Sequence, residues 1–287
     1  MEKVNGQGFV FQVDSDIVQD VYKNDANYLV EYDESVSVCD TCAVYFSSND
    51  IYFPNTEEVF RKRIKENNFF EWYKCRIANT HKHIFIRDVF KQWYLAGINA
   101  EISNIDEMIE WLKDETKDYS RIVTVGSSAG AFAAILLGSV LGASRVLAFN
   151  PQFVLDTLLS VSTETINPLV FRLKDSKFRK YFDIRPYING NVPIFYFYSN
   201  KSKWDVEQHS LLEADASVHE IVFKSSHHGI PFLKVALPEV INSSDDTLIN
   251  FSRKVQSPLW FTIGRVGIVK TIQGLIRQMY QAYKKRR

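Results

Sequence analysis

Cysteine is scarce in this chain: three residues among 287, an odd number. A disulfide framework is thereby excluded. Acid is missing from the last forty residues. After Asp246 there is no Asp or Glu, while Arg253, Lys254, Arg265, Lys270, Arg277, Lys284, Lys285, Arg286 and Arg287 are all basic. The whole chain carries 34 charges of each sign, so the part before the tail holds the compensating negative excess. A net charge of zero gives no general attraction for nucleic acid, and no nucleic-acid partner is expected. No apolar run approaches the roughly 20 residues needed to cross a bilayer. No basic segment followed by an apolar one opens the chain, so no secretory signal is read. These absences lead to the expectation of a cytoplasmic protein. Repeats and low-complexity linkers are lacking too. What is abundant is apolar surface: 46% of residues, ample for one large domain or a domain plus an extension.

The pair Cys39 and Cys42 in CDTC raises a metal or redox question. A zinc site needs two further ligands, and Cys75, His81 and His83 do not have zinc spacing. Cys42 opens the strand-like TCAVYFS, whereas a thioredoxin-like use needs the second cysteine near a helix start. No metal is expected, and the thiols read as free and buried.

The coarse pattern alternates. FVFQV (9–13), SVSVCD (35–40), CAVYFS (42–47) and HIFIRD (83–88) read as strands. VFKQWYLAG (89–97) reads as a helical stretch stopped by Gly97. Ile105, Met108, Ile109 and Leu112 recur at helical spacing, which predicts a helix over 104–117 capped by Asn104, with Glu107 three residues on. RIVTVG, RVLAFN, VPIFYFYS and VHEIVFK read as further strands. Helices are predicted after the first of these, near 206–214, and after Pro231. Short continuous apolar strands alternating with helices imply an α/β protein with a parallel sheet buried on both faces. Residues 151–191 are too long for a simple crossover. They carry Arg172, Lys174, Lys177, Arg179 and Lys180, and read either as a lid over the carboxyl ends of the strands, where ligands bind in such sheets, or as a solvated excursion.

The stretch RIVTVGSSAGAFAAILLGSVLG (121–142) holds the chemistry. A strand ending near Val125 and a helix starting near Ala129 place Ser128 on a tight turn above the sheet edge, with Gly126 and Gly130 two residues either side. The Ala129 amide lies at the helix amino terminus, where unpaired N–H groups favour negative charge, as on an acyl-transfer oxyanion. Ser127 is the competing hydroxyl. A serine nucleophile needs a base and an orienting acid. Two later strands end in such groups: VPIFYFYSNKSKWD runs into Asp205, and VHEIVFKSSHHGI into His227 and His228. Glu207 and Asp215 are alternative acids, Asp215 lying on the opposite edge of the sheet.

The order of GSSAG, the Asp205 loop and HHGI, over about residues 35–240, resembles the α/β-hydrolase superfamily. The resemblance implies an eight-strand-type, mostly parallel sheet flanked by helices. It also implies a triad of Ser128 as nucleophile, His228 as base and Asp205 as orienting acid. His228 is preferred to His227 because family histidines are often followed by a small residue, here Gly229. Where many esterases of the family place a glycine-rich loop to complete the oxyanion hole, this chain has YFSSND, so a Ser47 or Ser48 amide would join that of Ala129. HIFIRDVFKQWYLAG, GSSAG and SSHHG together look like hydrolase-fold proteins of bacterial surface-polysaccharide loci, some of which transfer acetyl groups to sugars.

Arg87 is a candidate substrate-binding residue or half of an ion pair with Asp88, and Trp204 a candidate sugar platform. His81 and His83 read as solvent-facing. The domain reading is a hydrolase domain over 1–250, with its insertion at 151–191, and a basic amphipathic extension over 251–287. In the extension Ile263, Val266, Val269, Ile272, Ile276, Met279 and Tyr283 form a stripe. That helix is expected to pack on the core, or to touch a partner or the inner face of an anionic membrane through 258–287. The expected function is serine-dependent acyl transfer on a carbohydrate or small polar ester. The enzyme would be an esterase/deacetylase, or an O-acetyltransferase with acetyl-CoA as co-substrate and otherwise no cofactor. The alternative is a catalytically inactive assembly protein of polysaccharide export.

Overall fold

The computed structural model describes residues 12–285. Its strands are β1 (Tyr28–Tyr32), β2 (Thr41–Phe46), β3 (Lys82–Ile86), β4 (Arg121–Ser127), β5 (Arg145–Phe149), β6 (Ile194–Ser199) and β7 (Val218–Phe223). They form one sheet in the order β1-β3-β2-β4-β5-β6-β7. β1 runs antiparallel to β3, and every other neighbour is parallel. The helices are α1 (Asp16–Asn24), α2 (Glu57–Phe60), α3 (Ile105–Thr116), α4 (Ala129–Leu141), α5 (Leu158–Val161), α6 (Pro168–Leu173), α7 (Lys203–Ser210), α8 (Leu237–Ile241), α9 (Asp245–Ser252) and α10 (Pro258–Lys285). This is an α/β-hydrolase-type architecture. The central strand β4 feeds the buried helix α4, and helices cover both faces of a mostly parallel sheet.

Strand side chains alternate between two cores. Val44, Phe46, Ile84, Ile86, Val146 and Ala148 join α3 and α4 on one face. Ala43, Tyr45, Val123, Val125, Leu147 and Phe149 join α8, α9 and Phe261 on the other. Burial on both faces is why the strands read as continuous apolar runs. From the 151–191 segment, Phe153, Leu155, Val170 and Phe182 enter the first core. Its basic residues are largely paired: Arg172 with Asp14 at 2.6 Å, Arg179 with Asp156 at 3.4 Å and Lys180 with Asp106 at 3.0 Å.

The structure departs from the expected pattern in several places. Seven strands, not eight, are present among the described residues. Of the FVFQV strand, Phe9–Phe11 lie outside the described residues, while Gln12 and Val13 turn into α1. SVSVCD is not a strand, because Asp33 accepts the Ser35 amide (3.0 Å) and hydroxyl (2.5 Å) and turns the chain. The edge strand falls earlier, at β1. After Pro231 the chain forms two short helices, α8 and α9, rather than one. VFKQWYLAG is not helical either. The Asp88 carboxylate takes the amides of Phe90, Gln92 and Tyr94 at 2.9, 2.7 and 2.9 Å, and Lys91, Trp93 and Tyr94 adopt positive φ. A side chain that collects three successive-turn amides outcompetes the helix for its own donors. Beyond β7 the chain returns as a single bridge: Gln256 N donates to Val222 O (2.7 Å) and Lys224 N to Gln256 O (2.9 Å), beside the outer strand.

Asp88 therefore has a measurable duty. Asp88→Asn keeps the shape but turns an amide donor toward at least one backbone N–H. A buried donor left unpaired costs about 1–3 kcal/mol, and urea denaturation is expected to show a loss of that size. An unchanged unfolding midpoint would show that the carboxylate does not hold the turn.

Candidate active site

β4 ends at Ser127 and α4 begins at Ala129, so Ser128 alone makes the turn. Its φ of 53° and ψ of −122° lie outside the ordinary regions for a side-chain-bearing residue, a conformation that costs roughly 1–3 kcal/mol and must be imposed by its surroundings. Ser128 N donates to Phe149 O at 2.8 Å, and Ser128 O accepts from Ala131 and Phe132 at 2.9 and 3.1 Å. The flanking glycines are required by space. A Cβ on Gly126 would stand 2.0 Å from Gly130 O, and one on Gly130 would stand 2.2 Å from Phe46 O. Both obstacles are backbone, which cannot rotate aside.

The three residues of the expected triad meet at the carboxyl edge of the sheet. His228 Nε2 lies 2.8 Å from Ser128 Oγ, and His228 Nδ1 lies 2.6 Å from Asp205 Oδ1. Asp205, in the first turn of α7, is 1% exposed. With Nδ1–H donating to that carboxylate, Nε2 is left as an acceptor for the serine proton. Trp204 stacks on the imidazole, ring centres 4.9 Å apart at 25°. It thus lies against His228 itself, with 36% of its surface exposed. His227 is exposed and Ser127 is buried. Asp215 instead accepts from Ser217 ahead of β7, at the far end of that strand.

Two residues that sequence reasoning passed over hold the histidine loop. Ser199 Oγ donates to His227 O at 2.7 Å. Asn150 donates to Gly229 O at 2.6 Å and accepts the Ser199 amide at 2.9 Å. Their signal was positional: Asn150 follows β5 and Ser199 ends β6, on the same edge as Ser128.

Other expectations are corrected. The Ser47 amide is not free for an oxyanion, because it extends the sheet ladder to Ile86 O at 3.0 Å. The Ser48 amide donates to Glu71 Oε2 at 2.5 Å. Ala129 is the first residue of α4, where helical N–H groups lack intrahelical acceptors. Arg87 does not face a substrate. It is 2% exposed, donates to Asn27 Oδ1 (3.0 Å) and Asn68 Oδ1 (2.9 Å), and lies over the Phe70 ring. Asp25 at 3.8 Å, not Asp88, is its carboxylate partner. His83 is buried against Tyr45 Oη at 3.0 Å rather than solvent-facing, and burial depresses its pKa. Cys39 is exposed, whereas Cys42 is buried and its thiol is pushed up to about 12 by burial. Among the described residues no cluster of three His, Cys, Asp or Glu forms a metal-ligand set. Two clefts, one along Leu212–Ala216 and one between Asp14 and Arg172, contain no triad residue.

No family model matches the chain, and no curated protein matches it in sequence. Among solved structures it is similar to a capsule O-acetyltransferase of Neisseria meningitidis serogroup A. That match has 12% identity and a TM-score of 0.46, covering 68% of this chain and 83% of that one. A histidine-to-alanine mutant of the same enzyme, in complex with CoA, aligns at 14% identity and TM-score 0.43, covering 68% and 84%. Esterase B from Lactobacillus rhamnosis aligns at 10% and 0.38, covering 65% and 70%. At such scores these likenesses establish neither activity nor substrate.

Proposed function

We propose that this chain is a serine-dependent acyl-transfer enzyme, an esterase/deacetylase or O-acetyltransferase, acting on a carbohydrate or similarly polar ester. The observation that carries the reading is the continuous hydrogen-bonded path Ser128–His228–Asp205 at a strained strand-to-helix turn. In the first half-reaction Ser128 Oγ attacks the acyl carbon while His228 Nε2 takes its proton. The bond to the leaving group breaks, and His228 returns the proton to that group. In the second, His228 deprotonates the acceptor hydroxyl, of water or of a sugar, which attacks the acyl carbon; the bond to Ser128 Oγ breaks and His228 returns the proton to that oxygen. Asp205 fixes the tautomer and stabilises the imidazolium, and Trp204 lies over that cation. The Ala129 amide meets the developing oxyanion at the α4 amino terminus. With acetyl-CoA as acyl donor, the exposed Lys201, Lys203 and Lys234 beside the triad loops are the cations available to its phosphates. An assembly protein without catalysis would have no use for a strained serine aligned with a paired imidazole. Surface-polysaccharide biosynthesis on the cytoplasmic side is the setting this reading suits.

The tail supports a place for that chemistry. α10 breaks at Gly267 (φ 78°, ψ 167°). Before the break, Phe261 and Thr262 are buried. After it, Thr271 is buried and Gly274 lies against Val235. At 100° per residue, Ile268, Val269, Ile272, Leu275, Ile276, Met279 and Tyr280 share one arc, and each is at least 40% exposed. Lys270 and Arg277 flank that arc, with Lys284 next in the same heptad spacing. No described helix is long and apolar enough to cross a membrane. An exposed apolar arc beside a cationic row, with no acid after Asp246, suits an anionic bilayer surface. Pairing with a second copy would bring like charges together.

Ser128→Ala is expected to abolish fluorophosphonate labelling and to reduce turnover of an acetyl ester by on the order of a million-fold, with the unfolding midpoint retained. His228→Ala is expected to cost about as much, and His227→Ala far less. Equal labelling of wild type and Ser128→Ala would remove Ser128 from the mechanism. For the tail, the full chain is expected to float with anionic vesicles at low salt and to be released at high salt. The Ile272→Glu/Ile276→Glu variant should stay unbound at both. A wild-type chain that never floats would refute the membrane contact.

A further inference from the structure

The carboxyl edge of the sheet is crossed by a segment without regular structure, around residues 67–76. Trp72 anchors it: its Nε1 donates to Phe46 O at 2.9 Å, and its ring lies 6.0 Å from that of Phe149 at 29°. Phe149 O is the acceptor for the Ser128 amide. The anchor brings the preceding residue, Glu71, to the loop after β2. There Glu71 Oε2 accepts the Ser48 amide at 2.5 Å, and Glu71 N donates to Ser47 Oγ at 3.4 Å. This loop borders the nucleophile turn, since the space a Gly130 Cβ would need is filled by Phe46 O and Ser47 O. The amide of this loop is the one the fold uses, with the residue after the serine, to hold an acyl oxyanion.

Resting on the acyl-transfer reading above, we propose that Glu71 is a carboxylate plug in the oxyanion pocket. It holds the Ser48 amide in place of the substrate's acyl oxygen and must yield that amide before the tetrahedral intermediate forms. One N–H cannot serve two anions, and a carboxylate left in place repels the developing negative charge. The charges facing Glu71 come from several elements. Lys234, beyond the histidine loop, favours its ionised form and Asp50 opposes it. Arg63 and Tyr94 also face it. Burial dominates and pushes the carboxyl above its usual range, against the Ser48 amide, which holds it down. Ionisation increases with pH, so the plug tightens as pH rises. Wild-type acylation is therefore held back more strongly as pH rises.

The experiment measures the rate of Ser128 labelling by a fluorophosphonate from pH 5 to 9, because the phosphonyl oxygen needs the same pocket. Glu71→Gln keeps the shape and removes the charge, and a neutral acceptor holds an amide about half as strongly as an ionised one. It is expected to label about tenfold faster than wild type at pH 8, with the advantage shrinking as pH falls. Ser48→Pro supplies the second arm. Ser48 has φ −79°, which proline accepts, so the change removes the N–H together with the hydroxyl that accepts the Asp50 amide at 3.2 Å, and Ser48→Ala, which loses the hydroxyl alone, is the control. Ser48→Pro should slow labelling by about a hundredfold, the scale for one lost oxyanion donor, and sharply reduce the effect of Glu71→Gln in the double variant. Thermal unfolding confirms that each variant is folded. A folded Glu71→Gln no faster than wild type at any pH overturns the proposal. So does an advantage of undiminished size in the Ser48→Pro background. Absence of labelling in wild type would instead overturn the acyl-transfer reading.

Discussion

One close approach of backbone to backbone sets the rest: the first turn of α4 rests on the backbone of β2 and β4 with no room for a Cβ at Gly126 or Gly130. The contact leaves one residue, Ser128, to reverse the chain, and so forces it into a conformation it would not choose. The strain is small beside what holds it. α4 is buried along nearly its whole length between the sheet and α3, and each buried Leu, Ile or Phe contributes about 1.5–3 kcal/mol relative to exposure. The core stabilises the turn, and the turn presents a hydroxyl at the sheet edge with its backbone already committed.

Around that hydroxyl, the positions of the polar groups are set by the sheet. Asp205 follows β6, His228 follows β7 and Asn150 follows β5, so parallel strands in register deliver all three to one edge. Asn150 and Ser199 tie the carbonyls of His227 and Gly229 to the strands beneath them. His228 is thereby held from the sheet side through its backbone and from the solvent side by Trp204. Two carboxyl groups border this edge: Asp205, 2.6 Å behind the imidazole, and Glu71, on the Ser48 amide at 2.5 Å. In the proposed reaction the first assists and the second restrains.

Most of the sheet, and the meeting of Ser128, His228 and Asp205 at one edge, were legible in the sequence, because buried parallel strands announce themselves as apolar runs and the serine turn needs small residues at fixed offsets. What was not legible depends on side chains taking backbone partners far along the chain or against local preference. VFKQWYLAG has good helix formers, and nothing in its own composition reveals that Asp88 will take its amides. Arg87 at a strand end looks available until Asn27 and Asn68, distant in sequence, occupy its donors. The Ser48 amide looked free because its partner, Glu71, sits 23 positions away in a loop with no periodicity. A carboxylate in such a loop has no sequence signature until the fold decides what it faces.

The outer strand β7 closes the sheet on the side opposite β1, and an outermost strand normally offers a row of unpaired backbone groups to any passing chain. Here Gln256 bridges part of that row, two residues before α10 begins. The same few residues that cover the edge also tether the helix. Lifting α10 pulls on Gln256, and release of Gln256 leaves a flat parallel strand open to addition by another molecule. The docking of α10 and the protection of the sheet edge are thus one feature, and a change that frees the segment around Gln256 would expose the strand to edge-to-edge pairing.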